Sequence, residues 1–305
     1  MAAAVSATDQ PQSRKTQRPF RQLVRRVLAY PGARIALGFV VLLIFVAVAA
    51  PFLGLDALTQ NVSNRLQGPS GAHWFGTDEL GRDIMARTIQ GARTSLLSAA
   101  GAVVIAASIG VPIGLIAGFY GGWRDAVLMR IIDVMLALPA ILFAMALIAV
   151  LGRSQITALI AVGVVGIPSF ARITRAQVLS LKSREYVLAV EAMGGSSVYT
   201  MFRTVLPNSW SPILVQVVIL SSVAILLEAA LAFLGLGVPP PTPSWGEMLQ
   251  TGKSYLRDAP HYAVLPGVIL TMTILSLDTL GRTLARAVED RNEFGSGTDV
   301  ERGVA

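Results

Sequence analysis

REYVLAVEAMGGSSVYTMFRTVLPN, residues 184–208, is a polar, basic insert between two strongly apolar segments. A turn needs only a handful of residues, so twenty-five call for another purpose. From Arg184 to about Val190 the stretch suits a helix, with Tyr186, Val187, Val190 and Met193 able to share one face. Gly194-Gly195 then allows a sharp change of direction, and Ser196-Ser197 can cap a second short helix running towards Leu206. Pro207 follows Gly194 by thirteen residues and closes the excursion just before the chain turns apolar again. Such a helix–turn–helix presents an apolar knob to water, fit to dock on a soluble partner. The residues alone leave open a second arrangement, an amphipathic loop resting on lipid headgroups.

Everything around the insert is membrane-like. Of 305 residues, 53% are hydrophobic and 14% charged, and the mean hydropathy is +0.62. With no cysteine, neither disulfides nor thiol chemistry are available, and His73 and His261 stand too far apart in sequence to suggest zinc. Residues 1–19, rich in Ser, Thr, Gln and Pro, read as a disordered tail. A cleaved signal peptide is the rival reading of the amino end, with Ala47-Val48-Ala49 as its site. The basic region before the apolar run exceeds thirty residues, however, and the run has a spanning length of about nineteen, which favours an uncleaved helix.

Six segments can cross a bilayer, near 34–53, 94–119, 131–151, 156–175, 209–235 and 262–281, which makes the fold class an all-α polytopic membrane protein. Numbering the connections alternately, the set that includes the amino tail, the 120–130 and 172–208 connections and the carboxyl end from Arg282 carries eighteen Lys and Arg. The opposite set carries seven. Basic connections stay in the cytoplasm, so both termini and the insert are expected there. The net charge of +7 is then a topology signal, which argues against nucleic acid.

The long connections and the spans carry further signals. In HWFGTDELGRDIMARTIQGARTSL, residues 73–96, Thr77 and Asp78 are positioned to cap an interfacial helix that begins near Glu79 and feeds the second span. Four prolines within 239–243 make a stiff, non-helical connector, and Trp245 and Tyr255 suit a membrane–water boundary. Ala102, Ala106, Gly110, Gly114 and Gly118 recur every fourth residue as a packing stripe, with Pro112 as a candidate bend. GEMLQTGKS, residues 246–254, imitates a phosphate-binding loop, but five residues separate its glycines where that loop needs four, and no strand precedes it. Asp133, Glu228 and Asp278 lie within spans, where a charge must face protein or water. Glu228 reads either as part of a translocation path or as a packing group paired to an arginine or a helix end. Scattered carboxylates and spans without histidine disfavour an intramembrane enzyme, and no repeat with interrupted helices marks a secondary transporter.

Three stretches carry a resemblance. The insert resembles the cytoplasmic loop of bacterial ABC importer permeases, in which Glu-Ala-Ala is followed after three residues by Gly, and after nine more by Ile-x-Leu-Pro. Ala189, Gly194, Leu206 and Pro207 match, while Leu188, Val190 and Thr204 replace the Glu, the second Ala and the Ile. Residues 73–96 and 227–249 are similar to the C-type permease of dipeptide, oligopeptide and nickel importers. Arg282 departs from that pattern, standing where an Asp is usual.

The resemblance implies a type I ABC importer permease fold over residues 20–290. A coupling loop at 182–208 and a cytoplasmic tail at 291–305 complete the expected organisation, in a bacterial plasma (inner) membrane. It implies a non-catalytic chain that binds neither metal nor cofactor and contacts ATPases through Tyr186, Ala189, Val190, Met193, Gly194, Leu206 and Pro207. Glu228 stands as the translocation-path candidate. The implied partners are a homologous B-type permease, two cytoplasmic ATPases carrying ATP and Mg, and an extracytoplasmic substrate-binding protein. The implied cargo is a di- or oligopeptide, with nickel chelates or haem-like ligands as alternatives. A stand-alone channel or secondary transporter is the other class in view.

Overall fold

A computed structural model of the chain describes the backbone of residues 24–300 and side chains through Glu289. The disordered tail expected over 1–19 lies outside the described residues. Helix α1 spans Pro31–Ala49 and α2 Ile84–Tyr120. After a two-glycine turn come α3 (Gly122–Ala137), α4 (Ala140–Leu151) and α5 (Gln155–Lys182). A short α6 (Glu185–Ala192) leads into irregular helical turns over 197–208. Then follow α7 (Trp210–Phe233), α8 (Trp245–Gly252) and α9 (His261–Val300).

The centre of the fold is the pair α2 and α5. The predicted stripe is buried throughout and faces α5. A Cβ at Gly110 would fall 2.6 Å from the Ile167 carbonyl oxygen, and one at Gly118 would fall 2.8 Å from Val178 Cβ. From the other side, Gly163 meets Ile105 and Ala102, and Gly166 meets Ala106. Small residues on both helices let the two backbones touch, which drives association where lipid is as apolar as leucine. Residue numbers rise together along this seam, so α2 and α5 run parallel.

That direction settles the crossings. Among the described residues, five helices are long and apolar enough to span a bilayer, and α3 with α4 forms a pair bent by 92°. The parallel helices α2 and α5 end on the same side, where Lys182 Nζ donates to the Phe119 carbonyl at 2.7 Å. The chain must therefore cross between Tyr120 and Gln155, and only the bent pair can carry it. Six crossings result, with the described ends on one side.

The third crossing corrects the expectation of one helix over 131–151. It begins at Gly122, inside the expected 120–130 connection, and breaks at Leu138-Pro139. Leu138 is extended (ψ 136°), as a residue before proline prefers, and Pro139 starts the next helix. The other interior prolines, Pro112, Pro168 and Pro266, are absorbed within helices. The second crossing also differs. It is one 37-residue helix starting ten residues before position 94, and its cap is Asp83, which accepts from the Ala86 N–H at 2.9 Å. Thr77 and Asp78 are instead buried in the preceding loop. The fourth crossing, α5, runs to Lys182 rather than 175 because Arg172 and Arg175 are still helical, paired to Asp133 and Asp125 on α3.

Gly114→Leu should lower the thermal midpoint of the purified protein by the equivalent of about 1–3 kcal/mol, the usual cost of overpacking a close contact. A Cβ there lies 2.8 Å from Thr174 Cβ and 2.9 Å from the Arg175 nitrogen. Gly38→Leu on α1, where nothing lies within 4 Å, should leave the midpoint unchanged. Equal losses in both variants would contradict a seam specific to α2 and α5.

Candidate functional site

Residues 182–208 form a handle on the shared end of α2 and α5. Helix α6 opens with Glu185 in its first turn, where a carboxylate suits the helix dipole. It ends in a Schellman arrangement: the Gly195 N–H donates to the Val190 carbonyl at 2.9 Å and the Gly194 N–H to that of Glu191 at 3.0 Å. Gly194 has φ +85°, a conformation a Cβ disfavours. Gly195 is required differently, since a Cβ would sit 2.7 Å from the Val190 oxygen. Ser196 then caps the next turn, its hydroxyl accepting from the Tyr199 N–H. Thr200–Val205 are π-helical, ahead of Pro207, which has no N–H to continue an α-helical ladder.

The handle has two faces. Val187, fully buried, packs with Met201 and Val205 onto Leu115 and Phe119 of α2 and Val178 of α5. Tyr186, Leu188, Met193, Val198, Tyr199 and Phe202 are exposed, Met193 by 80%. The expected shared face of Tyr186, Val187, Val190 and Met193 is thereby corrected. Val187 anchors the handle, Val190 is half-buried, and Tyr186 and Met193 point away. Ala189, Gly194 and Pro207 are exposed and Leu206 is half-buried, so the sites drawn from sequence lie on one continuous element.

At the opposite end of α2, two loops are locked together by charge. Arg87, 1% exposed, places Nη2 2.9 Å from Glu247 Oε2 on α8 and Nε 3.3 Å from Asp78 Oδ2. Arg82 pairs with Asp78 at 2.6 Å and with Glu79 at 2.9 Å. Burial pushes the Glu247 carboxyl above its ordinary value, and Arg87 offsets part of that rise. Trp245, expected at a membrane boundary, is fully buried instead, with its indole N–H donating to the Thr88 carbonyl at 3.1 Å. Gly91 makes room for Trp245, and Gly246 lies against Ala229 and Ala232 of α7. The glycines at 246 and 252 of the phosphate-loop imitation are thus packing contacts within a helix, Gly252 against Ala263. The pairing of Asp78 with Arg82 has a visible signal in its four-residue spacing. The partnership of Arg87 with Glu247, 160 residues apart, has none.

Glu228 sits on α7 at 2% exposure. Among the described residues no arginine or lysine pairs with it. Both carboxyl oxygens lack a hydrogen-bond partner among the described residues, as do the nearby Ser95 hydroxyl and that of Ser98. Asp133 and Asp278 are paired, to Arg172 across the α3–α5 interface and to Arg282 one turn on, each at 2.7 Å.

Residues 110–293 match the family model described as the binding-protein-dependent transport system inner membrane component. The chain is 42% identical over 273 residues to the dipeptide transport system permease protein DppC of Alkalihalophilus pseudofirmus, covering 89% of this chain and 88% of that one. It is 40% identical over 275 residues to the glutathione transport system permease protein GsiD of Pectobacterium atrosepticum, covering 90% and 91%. Against the di/tripeptide transport system permease protein DppC of Pseudomonas aeruginosa, identity is 38% over 280 residues, covering 90% and 92%.

Arg87→Met should destabilise the protein by about 3–5 kcal/mol, because it strands the Glu247 carboxylate and leaves buried Asp78 to Arg82 alone. Glu247 is raised in the folded state, so the stability its neutral form contributes is present below the ordinary glutamate range and lost as pH rises through the raised value. Without Arg87 that loss deepens. The drop in thermal midpoint relative to wild type should then be larger at about pH 8 than at about pH 5. A drop independent of pH would refute the network as drawn.

Proposed function

The chain belongs to the family of binding-protein-dependent transport system inner membrane components, the permeases of ABC importers, and on that footing we propose that it forms half of a peptide translocation pathway and is driven through its 182–208 handle by a cytoplasmic ATPase. A homologous permease supplies the other half. A second ATPase and an extracytoplasmic binding protein complete the machine, with ATP and Mg held on the ATPases. The cargo reading draws on the names of the relatives, which transport dipeptides, di/tripeptides and glutathione.

The observation that carries this reading is the division of the handle into a buried underside and an exposed apolar crest. Tyr186, Leu188, Met193, Val198, Tyr199 and Phe202 offer aromatic and flexible side chains of the type that fill a groove on a partner. The underside is fastened to the ends of two helices packed backbone to backbone, so a push on the crest moves α2 and α5 as one body. Eighteen Lys and Arg against seven, with six crossings, support a cytoplasmic location for the handle and both termini in a bacterial inner membrane.

Glu228 fits the pathway in this scheme. It is enclosed in the present conformation, and separation of α2 from α7 would bring its carboxyl to a central cavity. The amino group of a peptide supplies the partner the carboxyl lacks.

Tyr186→Ala combined with Gly194→Val removes an aromatic from the crest and strains the turn by about 1–2 kcal/mol. In proteoliposomes of the assembled importer, ATP-dependent uptake and the stimulation of ATP hydrolysis by loaded binding protein should both fall to background. The affinity of the binding protein for its peptide should be unchanged. Uptake at the wild-type rate would remove the handle from the mechanism, and flux through this chain reconstituted alone would favour a channel. Glu228→Gln should slow uptake about tenfold, the scale of one charge-assisted hydrogen bond, with ATPase assembly intact. Wild-type uptake by that variant would take Glu228 out of the path.

A further inference from the structure

Helix α1 packs on the bundle through Ala33, Ala36, Leu43 and Ala47, and beside that contact a lateral groove of about 750 Å³ runs between α1 and α2, backed by α7 and α9. Its walls are apolar and include Ile44, Val48, Leu97, Ala100, Ile225 and Leu277. At one end the chemistry changes. Arg93 and Pro51 line both this groove and a smaller cavity of about 220 Å³, whose other walls include Gln90, Thr94 and Thr242. Arg93 is exposed and has no carboxylate within 4.0 Å among the described residues. It stands level with Ala50 and Pro51, where the apolar run of α1 ends, which is the depth of the headgroups.

An apolar trough whose mouth holds a free guanidinium and amide and hydroxyl groups matches an amphiphile with an anionic head. We propose that this groove binds one anionic phospholipid, with an acyl chain between α1 and α2 and the phosphate on Arg93. A helix of another polypeptide fits less well, because it would cover Arg93 with apolar side chains and leave a charge buried without a counter-charge. A planar guanidinium also matches a phosphate in two-point geometry. The proposal needs the chain to lie in a membrane but does not rest on the role assigned to the handle, so its failure would leave that role standing.

Leu97 is exposed on the groove wall, so a single probe there can report the occupant. A photoreactive benzophenone amino acid at Leu97 in the assembled importer, in nanodiscs of phosphatidylglycerol and phosphatidylcholine, should yield a phospholipid adduct. An adduct with another subunit would show that protein fills the groove and would overturn the proposal. Native mass spectrometry after detergent extraction should find phosphatidylglycerol retained by wild type and by Arg93→Lys. Retention should fall about tenfold in Arg93→Gln, consistent with the loss of one charge-assisted contact. Melting of both variants in pure phosphatidylcholine should match wild type, which separates lipid loss from misfolding. Equal retention by Arg93→Gln would overturn the proposal. Displacement of the lipid by millimolar inorganic phosphate would do so too, since it would mark a phosphate site rather than a lipid site.

Discussion

Gly110, Gly114 and Gly118 bring the backbone of α2 against that of α5, and the ends of the molecule inherit their geometry from that contact. Within lipid there is no hydrophobic gain from joining two apolar helices, so close packing has to hold them. Side chains at these positions would hold the axes apart. The Lys182 ammonium would then miss the Phe119 carbonyl, and the shared floor of Leu115, Phe119 and Val178 would divide beneath Val187. The handle is therefore an extension of the seam rather than an independent loop.

The two ends of the seam are fastened by different forces. On the handle side, Arg172 pairs with Asp133 and Arg175 with Asp125, tying the bent third crossing to α5 through partly exposed contacts that water weakens. At the far end, Arg82 and Arg87 meet Asp78, Glu79 and Glu247 in buried surroundings, where an unmatched charge is costly and the full set must stay together. Contacts that yield lie beside the crest, and contacts that do not yield lie around Trp245. Under the proposed function, such a division suits a body pushed at the handle and carrying a closed assembly of loops at the other end.

Much of this was legible in the sequence. The four-residue period of the small stripe, the Gly194-Gly195 turn and the Ser196 cap depend on local backbone geometry, and the structure places each as read. The errors share a cause. Pro139 and Pro112 look alike in a hydropathy plot, yet only Pro139 breaks its helix, and α2 around Pro112 is held along its length by α5. Residue type alone points Trp245 to an interface, whereas Gly91, far away in the chain, provides the space that buries it. Periodicity groups Val187 with Tyr186 and Met193, although only Val187 finds a floor.

By itself the sequence determined the membrane class, the apolar runs, the charge asymmetry and the hinge of the handle, because these follow from composition and from the stereochemistry of neighbouring residues. Tertiary structure decided which face of α6 is anchored, that α2 and α5 pack in parallel, that the third crossing is bent by 92°, and that Arg87 answers Glu247 across 160 residues. Those outcomes depend on which surfaces meet in space, and no local pattern encodes the approach of two segments that the chain keeps far apart.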